Sequence, residues 1–279
     1  MRLRVGRIPY INCFPVYGAV DRGVVRLDAS LIDGVPTALN RMMADGSLDV
    51  SVVSAVEYAR DWSRYVLLPD LAISCDGPVR SVMLFSRRPA AELGGERLLV
   101  SRSSMTSVRL LELLFAHVWK TTPVFVPGEA EADDLRAADA NSSCVARLVI
   151  GDAALMLRTR TIAAPYEYAY DLGQEWKNWT GLPFVFAVWV AQRTVDTRMA
   201  LAVHASLIES RNWGLQHLDV LARQAHADTG VPVADCHEYL SGLDYGLNYP
   251  YLAGLTEFYH RLSLAGKVSP GRLAFLPAA

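Results

Sequence analysis

The strongest constraint on this chain is a strand–helix alternation that runs through the first 86 residues and starts again near residue 97. The helical segments of the first stretch are PVYGAVDRG, PTALNRMMADG and AVEYARDW. The predicted strands around them are LRVGRIPY, VRLDASLID, LDVSVVS, YVLLPDLAISC and VRSVMLFS. Such alternation favours a parallel sheet with helices on both faces, so we predict an α/β fold.

A break rich in proline and glycine divides the alternation in two. Pro89, Gly94 and Gly95 fall within the segment SRRPAAELGGERLLV, a composition that marks a loop. Beyond the break the pattern predicts RLLVS as a strand, SVRLLELLFAHVWK as a helix, PVFVP as a strand, EAEADDLRAAD as an acidic helix and ARLVIG as a strand. From about Thr197 onward the chain is mostly helical.

These patterns predict two lobes. We expect a discontinuous first lobe, residues 1–87 and 192–279, with residues 88–191 inserted as the second lobe. The C-terminal helices are expected to return and pack on the first lobe. Two lobes joined by two crossings form a cleft, and clefts between domains are common sites for small ligands.

Composition and charge exclude several classes of protein. The 279 residues carry a net charge of −2, without the basic excess that predicts a nucleic-acid partner. No apolar run approaches the roughly 18 residues of a membrane span. The N-terminus MRLRVGRIPY alternates arginine with apolar residues, whereas a secretory signal requires an unbroken apolar stretch. We expect a soluble cytoplasmic protein without nucleic-acid or membrane partners; the oligomeric state stays open.

The four cysteines are widely scattered and form neither a C-x-x-C pair nor a metal-like cluster. Buried free thiols in a reducing compartment are the expected state. Cys13 is the one whose role stays open, because it adjoins Asn12.

Polar side chains follow several predicted strands, at the edge where open α/β sheets bind ligands. Tyr10 and Asn12 follow the first strand, and Asn12 is either a cap of the next helix or a ligand contact. Ser81 interrupts an apolar strand, where it either bonds backbone or faces a ligand. Asp152 follows the strand ARLVIG as another cap candidate; alternatively it orients a hydroxyl or accepts a proton in the cleft.

A run of hydroxyls joins a strand to a helix in VSRSSMTSVRLL. Capping needs only one or two of them. The others, together with free N–H groups and the positive end of the helix dipole, form a cradle suited to a carboxylate. The residues of this hydroxyl run are Ser103, Ser104, Thr106 and Ser107.

Other motifs are absent or incomplete. HEYLS at His237 begins like a zinc-protease motif, but Ser241 stands where the second histidine is required. There is no G-x-G-x-x-G or Walker loop for a nucleotide, and no G-x-S-x-G elbow for a serine hydrolase. Trp176 and Trp179 are expected to pack in the core, with a pocket wall as the alternative.

Taken in order, several of these segments resemble the chorismate dehydratases of the futalosine route to menaquinone. The segments are YINCFP, GPVRSVMLFS, SSMTS, IGDAAL and LGQEWKNWTGLPFVFAVW. The resemblance covers nearly the whole chain and implies a two-lobed type II periplasmic-binding-protein fold in a cytoplasmic enzyme, with no metal or cofactor. The reaction it implies is the loss of water from chorismate to give 3-[(1-carboxyvinyl)oxy]benzoate.

The resemblance also implies roles for the polar residues. Asn12 and Ser81 match the family's pocket positions and are expected to hydrogen-bond the leaving hydroxyl or the enolpyruvyl group. Asp152 orients a hydroxyl or carries a proton, unless the substrate's own side-chain carboxylate is the base. Tyr10 and the hydroxyl run are expected to bind substrate, with Arg80 or Arg102 adding charge at the carboxylate.

Three alternatives stay open at the level of sequence. The sister 1,4-dihydroxy-6-naphthoate synthase shares the fold, although its N-terminal motif is expected to be rich in Ser, Pro, Asn and Asp, unlike PYINCFP. A non-catalytic small-anion-binding protein of the same fold is the second alternative. A ligand sensor or scaffold is the third, but no partner-binding segment stands out.

Overall fold

The structure, a computed structural model, describes residues 2–130, 143–159 and 166–277. The predicted acidic helix at 129–139 lies almost entirely outside these residues. The strands are Leu3–Arg7 (β1), Ala29–Asp33 (β2), Val50–Ser54 (β3), Tyr65–Cys75 (β4), Val82–Ser86 (β5), Arg97–Ser101 (β6), Val124–Gly128 (β7), Ala146–Ile150 (β8), Tyr168–Asp171 (β9) and Phe184–Gln192 (β10). The α-helices are Phe14–Asp21 (α1), Pro36–Ala44 (α2), Ala55–Arg60 (α3), Thr106–Leu114 (α4), Gly151–Thr159 (α5), Leu172–Thr180 (α6), Thr197–Gln216 (α7), Leu218–Thr229 (α8), Val233–Ser241 (α9) and Tyr249–Leu264 (α10).

The strands form two five-stranded sheets, in the order β2-β1-β3-β10-β4 and β7-β6-β8-β5-β9. In the first sheet β1 is parallel to β2 and β3, whereas β10 is antiparallel to β3 and β4. The second sheet repeats the scheme, with β6 parallel to β7 and β8, and β5 antiparallel to β8 and β9. The prediction of an α/β fold with two lobes is confirmed, one lobe being built on each sheet.

The chain crosses between the sheets at places that differ from the predicted lobe borders. β5 belongs to the second sheet and β10 to the first. The borders predicted at residues 87 and 191 therefore assign both strands to the wrong lobe. Both strands are buried along their whole length, and a fully buried strand has the same apolar pattern in either sheet. The crossings lie between β4 and β5 and between β9 and β10.

Two helical segments are shorter than their patterns predict. The helix expected over residues 107–120 is α-helical to Leu114 and continues as a π-helical turn, Phe115–Trp119, which ends at Lys120 in the left-handed conformation. The helical segment that follows Thr197 is interrupted at His217, whose φ of −127° is not helical, so that it forms the two helices α7 and α8. None of the helices in the described ranges is both long and apolar enough to span a membrane.

The C-terminal helices pack on the first lobe. Helix α7 crosses α1 at Gly214, where a β-carbon would lie 2.2 Å from the carbonyl oxygen of Pro15. Trp176 of α6 is fully buried against Phe184 and Phe258, and its indole N–H donates to the Pro183 carbonyl at 3.1 Å. This tryptophan therefore serves the core, which was the expected role.

Candidate active site

A pocket between the two lobes brings the predicted polar residues together. It encloses about 550 Å³ that protein atoms leave free, part of it open to solvent, which is in the range of small-molecule sites. Its apolar wall includes Ile8, Ile73, Val82, Ile150 and Phe186. Its polar lining consists of Tyr10, Asn12, Ser54, Ser81, Ser103, Ser104, Thr106 and Ser107. Among the described residues, no acidic, basic or histidine side chain lines the pocket.

Five helices begin at this pocket. A single 3-10 turn, Ile11–Cys13, leads from Tyr10 into α1, and Pro36 is the first residue of α2. Ser54 precedes α3, Thr106 begins α4 and Gly151 begins α5. The residues at these helix starts that line the pocket are Tyr10, Asn12, Pro36, Ser54, Thr106 and Gly151. First-turn N–H groups lack carbonyl partners within their helix, and a helix N-terminus carries partial positive charge. The pocket therefore presents donors and positive potential to an anion.

The hydroxyl run at the start of α4 is divided between structure and pocket. Ser104 Oγ accepts from the Ser107 N–H at 3.3 Å and caps the helix. Thr106 Oγ1 accepts from the Val56 N–H at 3.2 Å, which joins α4 of the second lobe to α3 of the first. The Ser103 and Ser107 hydroxyls make no hydrogen bond within the described part of the chain, so both are free to bind a ligand.

Asn12 is not a helix cap. Neither the 3-10 turn nor α1 has a side-chain capping bond. The Oδ1 atom of Asn12 is buried and has no hydrogen-bond partner among the described residues. A buried acceptor without a donor costs about 1–3 kcal/mol. Because Asn12 lines the pocket, a ligand hydroxyl there would satisfy this oxygen.

Ser81 receives a hydrogen bond that the sequence did not reveal. The hydroxyl of Tyr239 on α9 donates to Ser81 Oγ at 2.8 Å. Among the residues that the structure describes, the Ser81 hydroxyl has only the Val79 carbonyl, at 3.5 Å, as its own acceptor. Burial raises the pKa of Tyr239 well above its ordinary value, so the phenol keeps its proton. Tyr239 belongs to the segment HEYLS, which resembles an incomplete zinc motif. The one sequence signal for its role is that a tyrosine occupies a buried helix position.

The two arginines expected at the substrate carboxylate lie elsewhere, which corrects that prediction. Arg80 points its guanidinium at Glu238, with 2.7 Å between Nη2 and Oε1, and it does not line the pocket. Arg102 is exposed and is also absent from the lining.

Asp152 lies beside the pocket but does not line it. Its Oδ1 accepts from the Ile11 N–H at 3.2 Å, a further bond between the lobes. Burial raises the pKa of Asp152 from its ordinary value of 3.8 to about 6, the Ile11 N–H lowers it, and the charge of Asp228 adds to the increase. The neighbouring Cys13 is buried and outside the lining, and burial raises the pKa of its thiol.

Within the described ranges, no group of three or more His, Cys, Asp or Glu side chains is placed to hold a metal ion. The histidine rings there have other surroundings. His117 stacks on Trp179 at 5.3 Å, and His217 stacks on Trp213 at 4.1 Å, each distance joining ring centroids. The pocket's chemistry therefore rests on amide, hydroxyl and backbone groups.

Solved structures share this architecture. Protein AF1704 from Archaeoglobus fulgidus is 19% identical, with a TM-score of 0.77 over 96% of this chain and 98% of its own. The alkanesulfonate-binding protein SsuA from Xanthomonas axonopodis pv. citri, bound to MOPS, is 15% identical, with a TM-score of 0.69 over 98% of this chain and 95% of its own. The class of protein is thus a two-lobed, periplasmic-binding-protein-like fold with its pocket between the lobes.

Sequence comparison identifies the family within that class. A chorismate dehydratase from Thermus thermophilus is 31% identical over 271 residues, which cover 92% of this chain and 96% of the relative. The menaquinone biosynthesis family model matches residues 3–263. The chain belongs to this menaquinone biosynthesis family, and the resemblance found in the sequence is confirmed.

Proposed function

We propose that this protein removes water from chorismate to form 3-[(1-carboxyvinyl)oxy]benzoate, in the futalosine route to menaquinone. Family membership and the Thermus relative support the proposal. The observation that carries it is the pocket itself, where five helix starts surround neutral hydrogen-bonding side chains. Chorismate has two carboxylates, a ring hydroxyl and an enol ether; the pocket offers the start of α4 to one carboxylate, and Asn12 and Ser81 to the hydroxyl and the enol ether.

The dehydration of chorismate does not require a strongly reactive protein side chain. Loss of the ring proton beside the enol ether and of the ring hydroxyl makes the ring aromatic, and aromaticity supplies the driving force. The enzyme then has to orient the substrate and stabilise developing charge. A pocket of fixed N–H groups, hydroxyls and one amide is suited to both tasks, because these groups need no reorganisation as charge develops.

Asn12 and Ser81 are the residues we assign to the leaving hydroxyl and the enolpyruvyl group. Asn12 Oδ1 requires a donor, and the ring hydroxyl of chorismate is one. The described part of the chain offers the Ser81 proton no acceptor closer than the Val79 carbonyl at 3.5 Å, so Ser81 is available to donate. Tyr10 lies in the same lining and supplies a wall for the ring.

We assign one substrate carboxylate to the start of α4. The free hydroxyls of Ser103 and Ser107 lie beside the first-turn N–H groups of that helix. Ser104 and Thr106 fix this geometry through the cap and the bond to α3. A carboxylate at this position is bound by neutral donors and the helix dipole.

The proton acceptor is the substrate's own side-chain carboxylate in this proposal. No carboxylate or imidazole of the described residues lines the pocket, and Asp152 is occupied by the Ile11 N–H. The alternative makes Asp152 a proton carrier. Asp152→Asn separates the two, because an asparagine keeps the acceptor for Ile11 but cannot take a proton. A kcat within about threefold of wild type is expected; a loss of 10³ or more would make Asp152 the base.

The test of the function is one assay with purified protein and chorismate. We expect chorismate to disappear and an aromatic product of the expected mass to form, followed by chromatography and absorbance. Asn12→Ala and Ser81→Ala should lower kcat by at least tenfold, whereas Asp219→Asn, at the exposed ion pair with Arg223 on α8, should not. Unchanged chorismate that nevertheless stabilises the protein would indicate an anion-binding protein. Unchanged chorismate with turnover of a cyclic futalosine-type compound would indicate the sister synthase.

We also propose a cytoplasmic location. Four cysteines without a disulfide support a reducing compartment. Fractionation of the native organism with an antibody against this protein tests this part of the proposal.

A further inference from the structure

Two consecutive residues of α9 contact two consecutive residues of the turn before β5, through which the chain enters the second lobe. Glu238 Oε1 pairs with Arg80 Nη2 at 2.7 Å, and the Tyr239 hydroxyl donates to Ser81 Oγ at 2.8 Å. Helix α9 belongs to the C-terminal segment and contributes no residue to the pocket lining. It therefore acts on the pocket only through the turn that carries Ser81.

The backbone of that turn is held in an uncommon conformation. Arg80 has a φ of +64°, which non-glycine residues adopt rarely and at some energetic cost. The carboxylate of Asp171 accepts from the N–H groups of Val79 and Arg80 at 3.0 and 2.7 Å. These bonds fix the position of the Ser81 backbone but leave the rotation of its hydroxyl undetermined.

The Tyr239 bond restricts that rotation. A serine hydroxyl has one proton and two lone pairs. Since Tyr239 donates to a lone pair, the Ser81 proton must point elsewhere, and within the described ranges its one acceptor is the Val79 carbonyl at 3.5 Å. Ser81 lines the pocket, where a substrate oxygen offers a better acceptor than this long contact.

We propose that Tyr239 is a positioning residue, which orients the Ser81 hydroxyl so that Ser81 donates a hydrogen bond to a substrate oxygen. The inference rests on the proposed dehydration of chorismate and adds a residue to it. Tyr239 touches no substrate, so its effect must pass through Ser81. We therefore expect the Tyr239 hydroxyl to increase the rate of catalysis only in a protein that retains Ser81.

The experiment is a double-mutant cycle of Tyr239→Phe and Ser81→Ala, with chorismate turnover as the readout. Tyr239→Phe removes one oxygen and keeps the buried ring; we expect kcat to fall about tenfold and KM to change less than twofold. In the Ser81→Ala background, Tyr239→Phe should lower kcat no further. A matched control is Tyr17→Phe, a fully buried tyrosine whose hydroxyl bonds Trp189 and Gly6 instead; its kcat should equal that of wild type.

The outcomes separate this inference from the proposed function. Wild-type protein that leaves chorismate unchanged overturns the function and the inference with it. Wild-type turnover with an unaffected Tyr239→Phe variant overturns only the inference. The inference also fails if Tyr239→Phe lowers kcat by the same factor with and without Ser81, or if Tyr17→Phe lowers it equally, because both results indicate a general effect on folding.

Discussion

Asp152 gives a quantitative test of how the two lobes meet. Its carboxyl group is partly buried beside the pocket and accepts from the Ile11 N–H of the other lobe. Burial raises its pKa from 3.8 to about 6 in the folded protein. Between these two pH values the folded protein binds more protons than the unfolded chain, so the free energy of unfolding falls as pH rises. Well above pH 6 the carboxyl is ionised in both states, so the free energy of unfolding no longer changes with the ionisation of Asp152.

The size of the effect follows from the shift. Each pKa unit corresponds to about 1.4 kcal/mol, so a shift of about two units corresponds to about 3 kcal/mol. Asp152→Asn stays neutral and keeps an acceptor for Ile11. The free energy of unfolding of the variant relative to wild type should therefore increase by about 2–3 kcal/mol between pH 4 and pH 7.5. Urea unfolding at a series of pH values measures this difference.

Asp49→Asn is the control with the opposite sign. A side-chain hydrogen bond from Arg4 lowers the pKa of Asp49, so the ionised group stabilises the fold above its ordinary pKa and that stability is lost as pH falls. The free energy of unfolding of Asp49→Asn relative to wild type should thus decrease as pH rises. If the Asp152→Asn difference is independent of pH, the carboxylate is solvated in the folded protein, and the description of a buried contact between the lobes is refuted.

Two further predictions concern the pocket's frame. Thr106→Val removes the acceptor of the Val56 N–H. We expect the free energy of unfolding to fall by about 1–3 kcal/mol and the KM for chorismate to rise, as measured by urea unfolding and steady-state kinetics. Thr106→Ser keeps the acceptor and should restore both values. Gly151→Ala should lower both stability and turnover, because Gly151 has a φ of +65° and its β-carbon would lie 3.0 Å from the Tyr10 ring. Gly181→Ala, with a φ of +72° and nothing within 4 Å, should lower stability alone; equal turnover in the two glycine variants would contradict the role of Tyr10.

Much of the candidate site was predictable because its residues follow strand ends, whose positions along the chain do not depend on which lobe carries each strand. Asn12, Ser81 and the hydroxyl run each follow or interrupt an apolar strand, and such positions meet at one edge of an α/β sheet. They converge whichever lobe carries each strand. The exchange of β5 and β10 between the sheets therefore changed the predicted borders without changing the predicted pocket.

Side-chain direction is what the sequence could not supply. Arg80 adjoins Ser81, and charge next to a polar pocket residue suggested a carboxylate partner. Its positive φ turns the guanidinium toward Glu238, and Glu238 lies 158 residues away in the chain. Tyr239 was missed for the same reason, because its partner Ser81 is equally distant. Contacts of this range depend on tertiary packing, which local patterns do not encode.

The lack of charged side chains in the described lining has a consequence for the proposed chemistry. An arginine paired with a substrate carboxylate would lower that carboxylate's pKa and make it a weaker base. In the proposed complex one carboxylate lies at the start of α4, and the pocket lining also includes an apolar wall with Ile73 and Phe186. A second carboxylate placed against that wall is poorly solvated, which raises its pKa. The binding mode proposed for chorismate would thus leave one of its carboxylates basic enough to remove the ring proton.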